Sequence, residues 1–484
     1  MNPLFGNTCV YNVKEKSGKI ILKTLESLET PRVSLSTIAN KDFLSRIVPI
    51  AFEGRVAADE NRFRNENKVQ VDSLGKSALS ELEKVRVATH LALKTIGDTD
   101  QPLFMMDMDN VLTQFKRWKR CLPSIQPLYA VKCNPDPVLV AYLQSLGCDF
   151  DCATAAEMDL VVNQMHHPAG RVVFSNPCKL ESHIRYARGL NVDLTIIDNK
   201  DEIIKVHQNH PTSKVLIRLS CSDSSARSPM SLKFGAPRDQ VKPLLEFAAE
   251  IGLDVVGVHF HVGSGCSDPS SYATALLDAR RAFDFGVELG HNMHVLDLGG
   301  GYPSLGLDGN CQTSNGVKFE EMALTINSLL VQLFPNESGQ YRIIAEPGRF
   351  FAGGSVSLVN KVHSKSIVGE DLLGRKMIRY YMTEGLYGSL SCIIFDQQEG
   401  LLPHLLIDKK DAPMCVSTLF GPTCDGFDKI GDYTHLPELS VRDRIIYLSF
   451  GAYTCSITTS FNGFEKGVVF YYNREERHIE LINK

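Results

Sequence analysis

From residue 128 onward the chain repeats one pattern: a short apolar run, a turn, an amphipathic stretch and another turn. The apolar runs are 128–132, 149–153, 172–176, 194–198, 215–219, 255–262, 295–298 and 343–346. The first five begin about 22 residues apart, a natural length for one strand, one helix and two turns. Helical spacing fills the intervals at 137–146, 155–164, 181–190 and 202–208, then at 240–251, 271–289 and 319–333. Eight strands alternating with seven helices predict an α/β fold, a closed parallel (β/α)8 barrel of the TIM type. An open doubly wound sheet is the alternative. In a barrel the chemistry lies at the C-terminal ends of the strands.

A barrel takes about 250 residues. The chain has 484, which leaves room for a second domain. Past Arg349 the helical spacing fades. Residues 356–362, 377–382, 392–395, 417–420, 444–448 and 467–472 read as strands between turns. They predict an all-β, sandwich-like domain over 351–484. Residues 1–65 show no repeat and read as an N-terminal extension, strand-like at 19–25; the charged stretch 59–70 has linker character. Residues 77–93 read as an amphipathic helix within a segment, 66–103, that packs with the β domain. Residues 104–108 read as a strand entering a barrel region of 104–350, with a helix at 110–118.

The formal charge of −5 offers no basis for a nucleic-acid or anionic-membrane partner. Thirteen cysteines are scattered without a C-x-x-C pair, which fits reduced thiols in the cytoplasm better than disulfides or a zinc site. No apolar run approaches the roughly 20 residues of a membrane-spanning helix. The N-terminus lacks a basic-then-apolar signal pattern.

The strand ends carry the chemistry. Lys132 closes the first run, and Pro135 and Pro137 stop any extension. One lysine at a strand end is usually a solvated charge. Its companions change that reading. His261, with Gly263, Ser264 and Gly265, closes the sixth run; Gly299, Gly300 and Gly301 close the seventh; Glu346, Pro347, Gly348 and Arg349 close the eighth. Adjacent glycines let backbone amides approach a ligand, and arginine offers a forked donor to phosphate oxygens. Barrels commonly bind phosphate at the loops after strands seven and eight. A lysine, a phosphate site and a carboxylate together point to pyridoxal phosphate. The amine can condense with its aldehyde, and Glu346 can hold the ring nitrogen protonated. His261 can stack on the ring, although a histidine there is more often a hydrogen-bonded core residue.

The motifs Y-A-V-K-C-N, F-D-C-A, S-N-P-C-K, H-V-G-S-G, L-G-G-G, A-E-P-G-R, G-P-T-C-D-G and F-N-G-F occur in this order between about Pro102 and Phe464. Together the set closely resembles the eukaryotic ornithine decarboxylase family, of the alanine-racemase-like fold group. The resemblance implies that Lys132 carries pyridoxal phosphate, that Glu346 holds its ring nitrogen and that His261 stacks on the ring. It implies phosphate contacts from Ser264, Gly301, Arg349 and Tyr453, and support from Asp151, Glu157 and Arg218. Cys424 is implied as the acid that protonates Cα. Asp425 and Asp396 are implied around the distal ammonium of a diamino acid, with Tyr387 and Phe395 at the same site. It further implies a two-fold homodimer, with Cys424 and Asp425 serving the partner's barrel, and an antizyme-type regulator as a possible partner. Two carboxylates around one ammonium select a diamino acid, because a substrate without that amine leaves them unpaired.

The chain departs from the family pattern near the distal-amine site. Glu384 stands where aspartate is usual, Gln397 where histidine is common, and Phe395 where tyrosine is frequent. Ser228-Pro229-Met230 also replaces a usual Cys-Arg-Leu. These departures leave two alternatives to ornithine decarboxylation. One is an inactive regulatory protein of the antizyme-inhibitor kind, although such proteins lose cofactor contacts that Lys132, Asp151, Arg218, Asp297 and Tyr453 retain here. The other is a decarboxylase preferring lysine.

Overall fold

In the computed structural model the described residues are 14–16, 19–21, 69–70, 80–304, 318–336, 338–398, 400–475 and 478–482. The expected extension over 1–65 and the linker over 59–70 lie outside them, apart from the paired strands Lys14–Lys16 and Lys19–Ile21 and the short strand Val69–Gln70. The chain divides into two compact units, one of 110–355 with 451–456, the other of 1–109, 356–450 and 457–484.

The first unit is a closed eight-stranded parallel barrel. Its strands are β1 (Gln126–Ala130), β2 (Asp149–Cys152), β3 (Val172–Phe174), β4 (Leu194–Ile197), β5 (Lys214–Leu219), β6 (Asp254–Phe260), β7 (Val295–Asp297) and β8 (Arg342–Ala345). Each pairs in parallel with the next, and β8 closes onto β1 through Ile344 beside Gln126. Leu128, Val173, Ile196, Leu216, Val256 and Ile344 fill the interior as one buried cluster. Branched side chains from alternating strand positions pack there, so the barrel is a core and not a pore. The helices fall where the spacing predicts them. Pro137–Leu146, for example, starts on the Asp136 cap with Pro137 at its first turn and stops at Gly147 in the left-handed region.

The second unit is built on a connected set of ten strands. Its spine is the 15-residue strand Val356–Glu370. One end of that strand pairs with Leu103–Asp107 and Arg444–Tyr447, the other with Lys376–Met382. The helix Glu81–Ile96 sets Val85, Ala88 and Ala92 against Leu103, Val359, Ile446 and Tyr472. Ser80 and Glu83 close a reciprocal capping box at its start.

Three readings need correction. The strand expected at 104–108 does not enter the barrel; Leu103–Asp107 pairs antiparallel with Val356–Glu370 and parallel with Val468–Glu475 in the β unit. An apolar run of five residues satisfies either sheet, and only its long-range partners decide which. Residues 392–395 form a short helix, Cys392–Phe395, and not a strand. The segment 451–456, expected in the β domain, belongs to the barrel unit: Tyr453 N–H donates to the Cys133 carbonyl at 3.0 Å and Asn134 Nδ2 donates to the Gly451 carbonyl at 3.0 Å.

Candidate active site

β1 ends at Ala130, and a single 3-10 turn, Val131–Cys133, carries Lys132. Lys132 therefore sits one turn beyond the strand tip where the sequence reading put it. Pro135 cannot extend a ladder, and the backbone leaves the sheet before it. Ala130 lies in register with Asp151 on β2, and Lys132 Nζ donates to that carboxylate. Ser175, just past β3, donates to the other carboxylate oxygen. Burial disfavours the Lys132 ammonium, yet the charges of Asp151 and Glu346 outweigh it and hold the amine above its ordinary pKa. Burial, with the nearby Glu346 charge, raises the Asp151 carboxyl, and Lys132 pulls it back.

Across the barrel Arg218, His259 and Asp297 stand side by side, in register on β5, β6 and β7. Glu346 follows β8 directly. His259 Nε2 lies 3.3 Å from Glu346 Oε2, and the ligating atoms of His259, Asp297 and Glu346 all fall within 4.8 Å of one another. Burial raises both carboxyls. Asp297 rises furthest because Glu346 faces it, whereas Lys132 and Arg218 pull Glu346 back down. Burial also holds His259 and His261 neutral, with the charge of Arg218 acting in the same direction. The Gly263 N–H donates to His261 Nδ1 at 3.0 Å, which leaves the ring proton on Nε2.

The rim of the site is a cradle. Arg349 donates to Ser264 Oγ at 3.0 Å, and its guanidinium carbon lies 5.0 Å from the centroid of the Tyr453 ring. Gly299 and Gly301 take left-handed φ of 57° and 116°. A Cβ on Gly301 would stand 2.7 Å from Val262 Cγ2, and one on Gly300 2.7 Å from His261 Nε2. A Cβ on Gly348 would stand 2.9 Å from Cys133 Cβ, and the Pro347 carbonyl accepts from Ala130 N–H at 3.4 Å. Lys132, His261, Ser264, Gly300, Gly301, Glu346, Gly348, Arg349 and Tyr453 line one cleft, together with Ala130, Gly265 and Tyr302.

Asp151, Glu157 and Arg218 are not among the residues lining the cleft. Asp151 instead accepts from Lys132 Nζ. Glu157 accepts its own loop's Ala153 N–H at 2.6 Å, and burial raises its carboxyl. Arg218 lies over the Phe234 ring at 5.2 Å. The sequence reading assigned no site role to His259, nor to Ser175, although Ser175 opens the S-N-P-C-K motif. His259 carried one signal: it stands two residues before His261, so strand alternation points both the same way.

The remaining expected residues gather in the β unit. The Tyr387 hydroxyl donates to Asp425, and the Tyr387 ring lies 4.5 Å from that of Phe461. Asp425 Oδ1 also accepts the Phe427 N–H at 3.0 Å. Cys424 is exposed, and its N–H donates to Asn462 Oδ1 at 3.1 Å. Asp396 ends the helix Cys392–Phe395 and is only 4 % exposed, whereas the adjacent Phe395 is 71 % exposed.

The cleft suits pyridoxal phosphate in its donors and its shape. Ser264 and Arg349 offer donors to an anion beside glycines whose space any Cβ would fill, a buried acid lies among the lining residues, and a lysine amine stands at the same mouth. Such a site at the C-terminal ends of a (β/α)8 barrel defines a pyridoxal-phosphate enzyme of the barrel type. The family model for the pyridoxal binding domain of pyridoxal-dependent decarboxylases matches residues 108–353, and the chain belongs to that family. Ornithine decarboxylase of Caenorhabditis elegans is 39 % identical over 393 residues, 80 % of this chain and 90 % of that protein. Antizyme inhibitor 2 of Xenopus laevis is 39 % identical over 377 residues, 76 % of this chain and 80 % of that protein. Among solved structures, the arginine decarboxylase of Paramecium bursaria Chlorella virus bound to agmatine is similar with a TM-score of 0.73 and 33 % identity, covering 80 % of this chain and all of that one. The enzyme is thus a pyridoxal-dependent decarboxylase with pyridoxal phosphate as its cofactor.

Proposed function

We propose that this chain decarboxylates L-ornithine to putrescine, the first step of polyamine synthesis, in the cytoplasm and as a homodimer with shared sites. The observation that carries the reading is the cleft holding Lys132, Glu346 and Arg349, in a chain 39 % identical to an ornithine decarboxylase over most of its length. Among the described residues no helix is long and apolar enough to cross a membrane, and none of the eleven cysteines there takes part in a disulfide.

When bound, pyridoxal phosphate supplies the electron sink for the charge left at Cα as carbon dioxide departs. Lys132 is the amine that carries it, and Asp151 with Ser175 behind it orients that amine. Glu346 would hold the proton of the ring nitrogen. His261, neutral, would lie against the ring. Ser264, Gly301, Arg349 and Tyr453 would take the phosphate, Gly299, Gly300, Pro347 and Gly348 would complete the cradle around the cofactor, and Glu157 and Arg218 would support the floor. Cys424 delivers a proton to Cα, a task open to an exposed thiol. Asp425 and Asp396 hold the distal ammonium, with Tyr387 and Phe395 beside them. Tyr387 already donates to Asp425, so the substrate's ammonium meets a carboxylate held below its ordinary pKa by that hydroxyl.

Carbon dioxide release from ornithine, lysine and arginine, measured side by side, tests the reading. Ornithine is expected to be preferred; a preference for lysine would mean that Phe395 and Gln397 enlarge the pocket. A second reading follows from the equal similarity to antizyme inhibitor 2: a regulatory protein that engages an antizyme-type partner and has no catalysis. Purified protein that carries no visible cofactor absorption after reconstitution and gel filtration would select that reading.

A further inference from the structure

We propose that His259 and Asp297 are positioning residues that hold Glu346 ionised and oriented, two neutral donors behind one carboxylate. The inference rests on the proposed role of Glu346 at the cofactor. Neither residue is among those lining the cleft, so both act through Glu346; Asp297, counted from the resemblance among the cofactor contacts, meets the Glu346 carboxyl instead.

The geometry is built by the barrel. β6 and β7 are neighbours, and His259 and Asp297 are directly in register. All three side chains are at most 4 % exposed. His259 Nε2 reaches Glu346 Oε2 at 3.3 Å. Asp297 Oδ1 accepts the Gly299 N–H at 2.9 Å, which fixes the carboxyl plane. That leaves Asp297 Oδ2 and Glu346 Oε1, both buried and both without a donor among the described residues. Two acceptor-only carboxylates this close, out of water, cannot both be charged; one proton between them removes the repulsion and supplies the missing donor. The neighbouring charges decide who keeps it. Lys132 and Arg218 favour the ionised form of Glu346, whereas burial and the charges of Glu346 and Asp151 disfavour that of Asp297. Asp297 is therefore the acid and Glu346 the anion. His259 is neutral and donates from Nε2. A carboxylate has about four lone-pair sites, so two donors behind still leave room for a ring N–H in front.

Cofactor affinity and the state of the ring nitrogen test this on the holoenzyme. The probe is pyridoxal phosphate labelled at the ring nitrogen, read by nitrogen NMR, with dissociation constants from titration of the apoprotein. His259→Leu removes one donor to a charged acceptor, and the dissociation constant should rise about ten- to a hundredfold. The ring-nitrogen signal should move towards the unprotonated position. His259→Gln, which restores an N–H, should recover most of both. Asp297→Asn mimics the neutral acid and should stay within about threefold of wild type, whereas a charged Asp297 would make the same change matter. Wild-type affinity and signal in His259→Leu would overturn the role of His259. A loss in Asp297→Asn as large as in His259→Leu would overturn the protonated acid. If His259→Leu fails to fold, His259→Gln carries the test: an unprotonated ring nitrogen in that variant overturns the proposal, a protonated one supports it. A wild-type protein that binds no cofactor would instead overturn the cofactor reading itself, an outcome separate from the others.

Discussion

Lys132 and Asp151 form an ion pair in which only the lysine is partly open, its side chain 33 % exposed against 0 % for the acid. An exposed pair contributes little, but here the acid is already desolvated and cannot be left alone without a penalty. Lys132→Ala should therefore do two things. Decarboxylation should fall roughly a thousandfold or more, since the amine that carries the cofactor is gone. Equal activity in this variant would mean that Lys132 does not carry the cofactor. The melting temperature should also drop, and Lys132→Ala combined with Asp151→Asn should regain part of it. At the rim, Arg349 supplies a permanent charge beside Ser264. Its loss in Arg349→Ala should weaken cofactor binding about ten- to a hundredfold, a charge-assisted hydrogen bond's share. Titration of apoprotein with pyridoxal phosphate reads this directly. Of these residues, Lys132, Glu346 and Arg349 were legible as types at strand ends. The partnership of Lys132 with Ser175 through Asp151 was not, because it links three strands whose closeness no local pattern encodes.

At the scale of elements, the loop holding Tyr387 contains the departure Glu384. Its carboxylate accepts the Gly385 N–H at 3.0 Å and the Ser389 N–H at 3.2 Å, and burial still pushes its pKa up to about 7. An acid whose folded pKa lies above its unfolded 4.5 contributes its full stability below that value and loses it as pH rises to about 7. At about 1.4 kcal/mol per pH unit the β unit forfeits on the order of 3 kcal/mol across that window. Glu384→Gln keeps an acceptor for both N–H groups and never ionises. Its melting temperature should match wild type near pH 4 and exceed it by several degrees at pH 8. Equal melting at pH 8 would mean that Glu384 is ionised at no cost. The helix Glu81–Ile96 offers a second check. Ser80→Ala opens the capping box and should cost about 1 kcal/mol in denaturant unfolding. The segment lies before the region of the family motifs, yet its cap was written in the sequence as S-x-x-E.

For the whole molecule, the residues proposed to act on one substrate are split between two units: Lys132 belongs to the barrel and Cys424 to the β unit. If Cys424 serves the barrel of a second copy, Lys132→Ala and Cys424→Ala homodimers are both nearly inactive. Mixed in equal amounts with free exchange, half of the dimers are hybrids, each with one intact site and one doubly defective site. About a quarter of wild-type activity should return. A mixture that exchanges subunits, shown by tagged pull-down, yet stays inactive would disprove the shared site.

The repeat of apolar runs by itself narrowed the fold to a closed (β/α)8 barrel or an open doubly wound sheet, because a run too short to bury its own faces must alternate with helices to close a core. The glycines and charges at the run ends likewise marked the cofactor site, since close backbone approach and a forked cation are properties of residue types. Tertiary structure alone decided three things. It sent Leu103–Asp107 to the β sheet, where its hydrogen-bond partners come from 356–359 and 468–472. It returned Tyr453 to the barrel unit through the Cys133 carbonyl. It set His259 and Asp297 against Glu346, because parallel pairing puts β7 between β6 and β8 and strand register then fixes which side chains meet. Periodicity encodes which face of a strand is buried; it carries no information about which distant strand lies next to it.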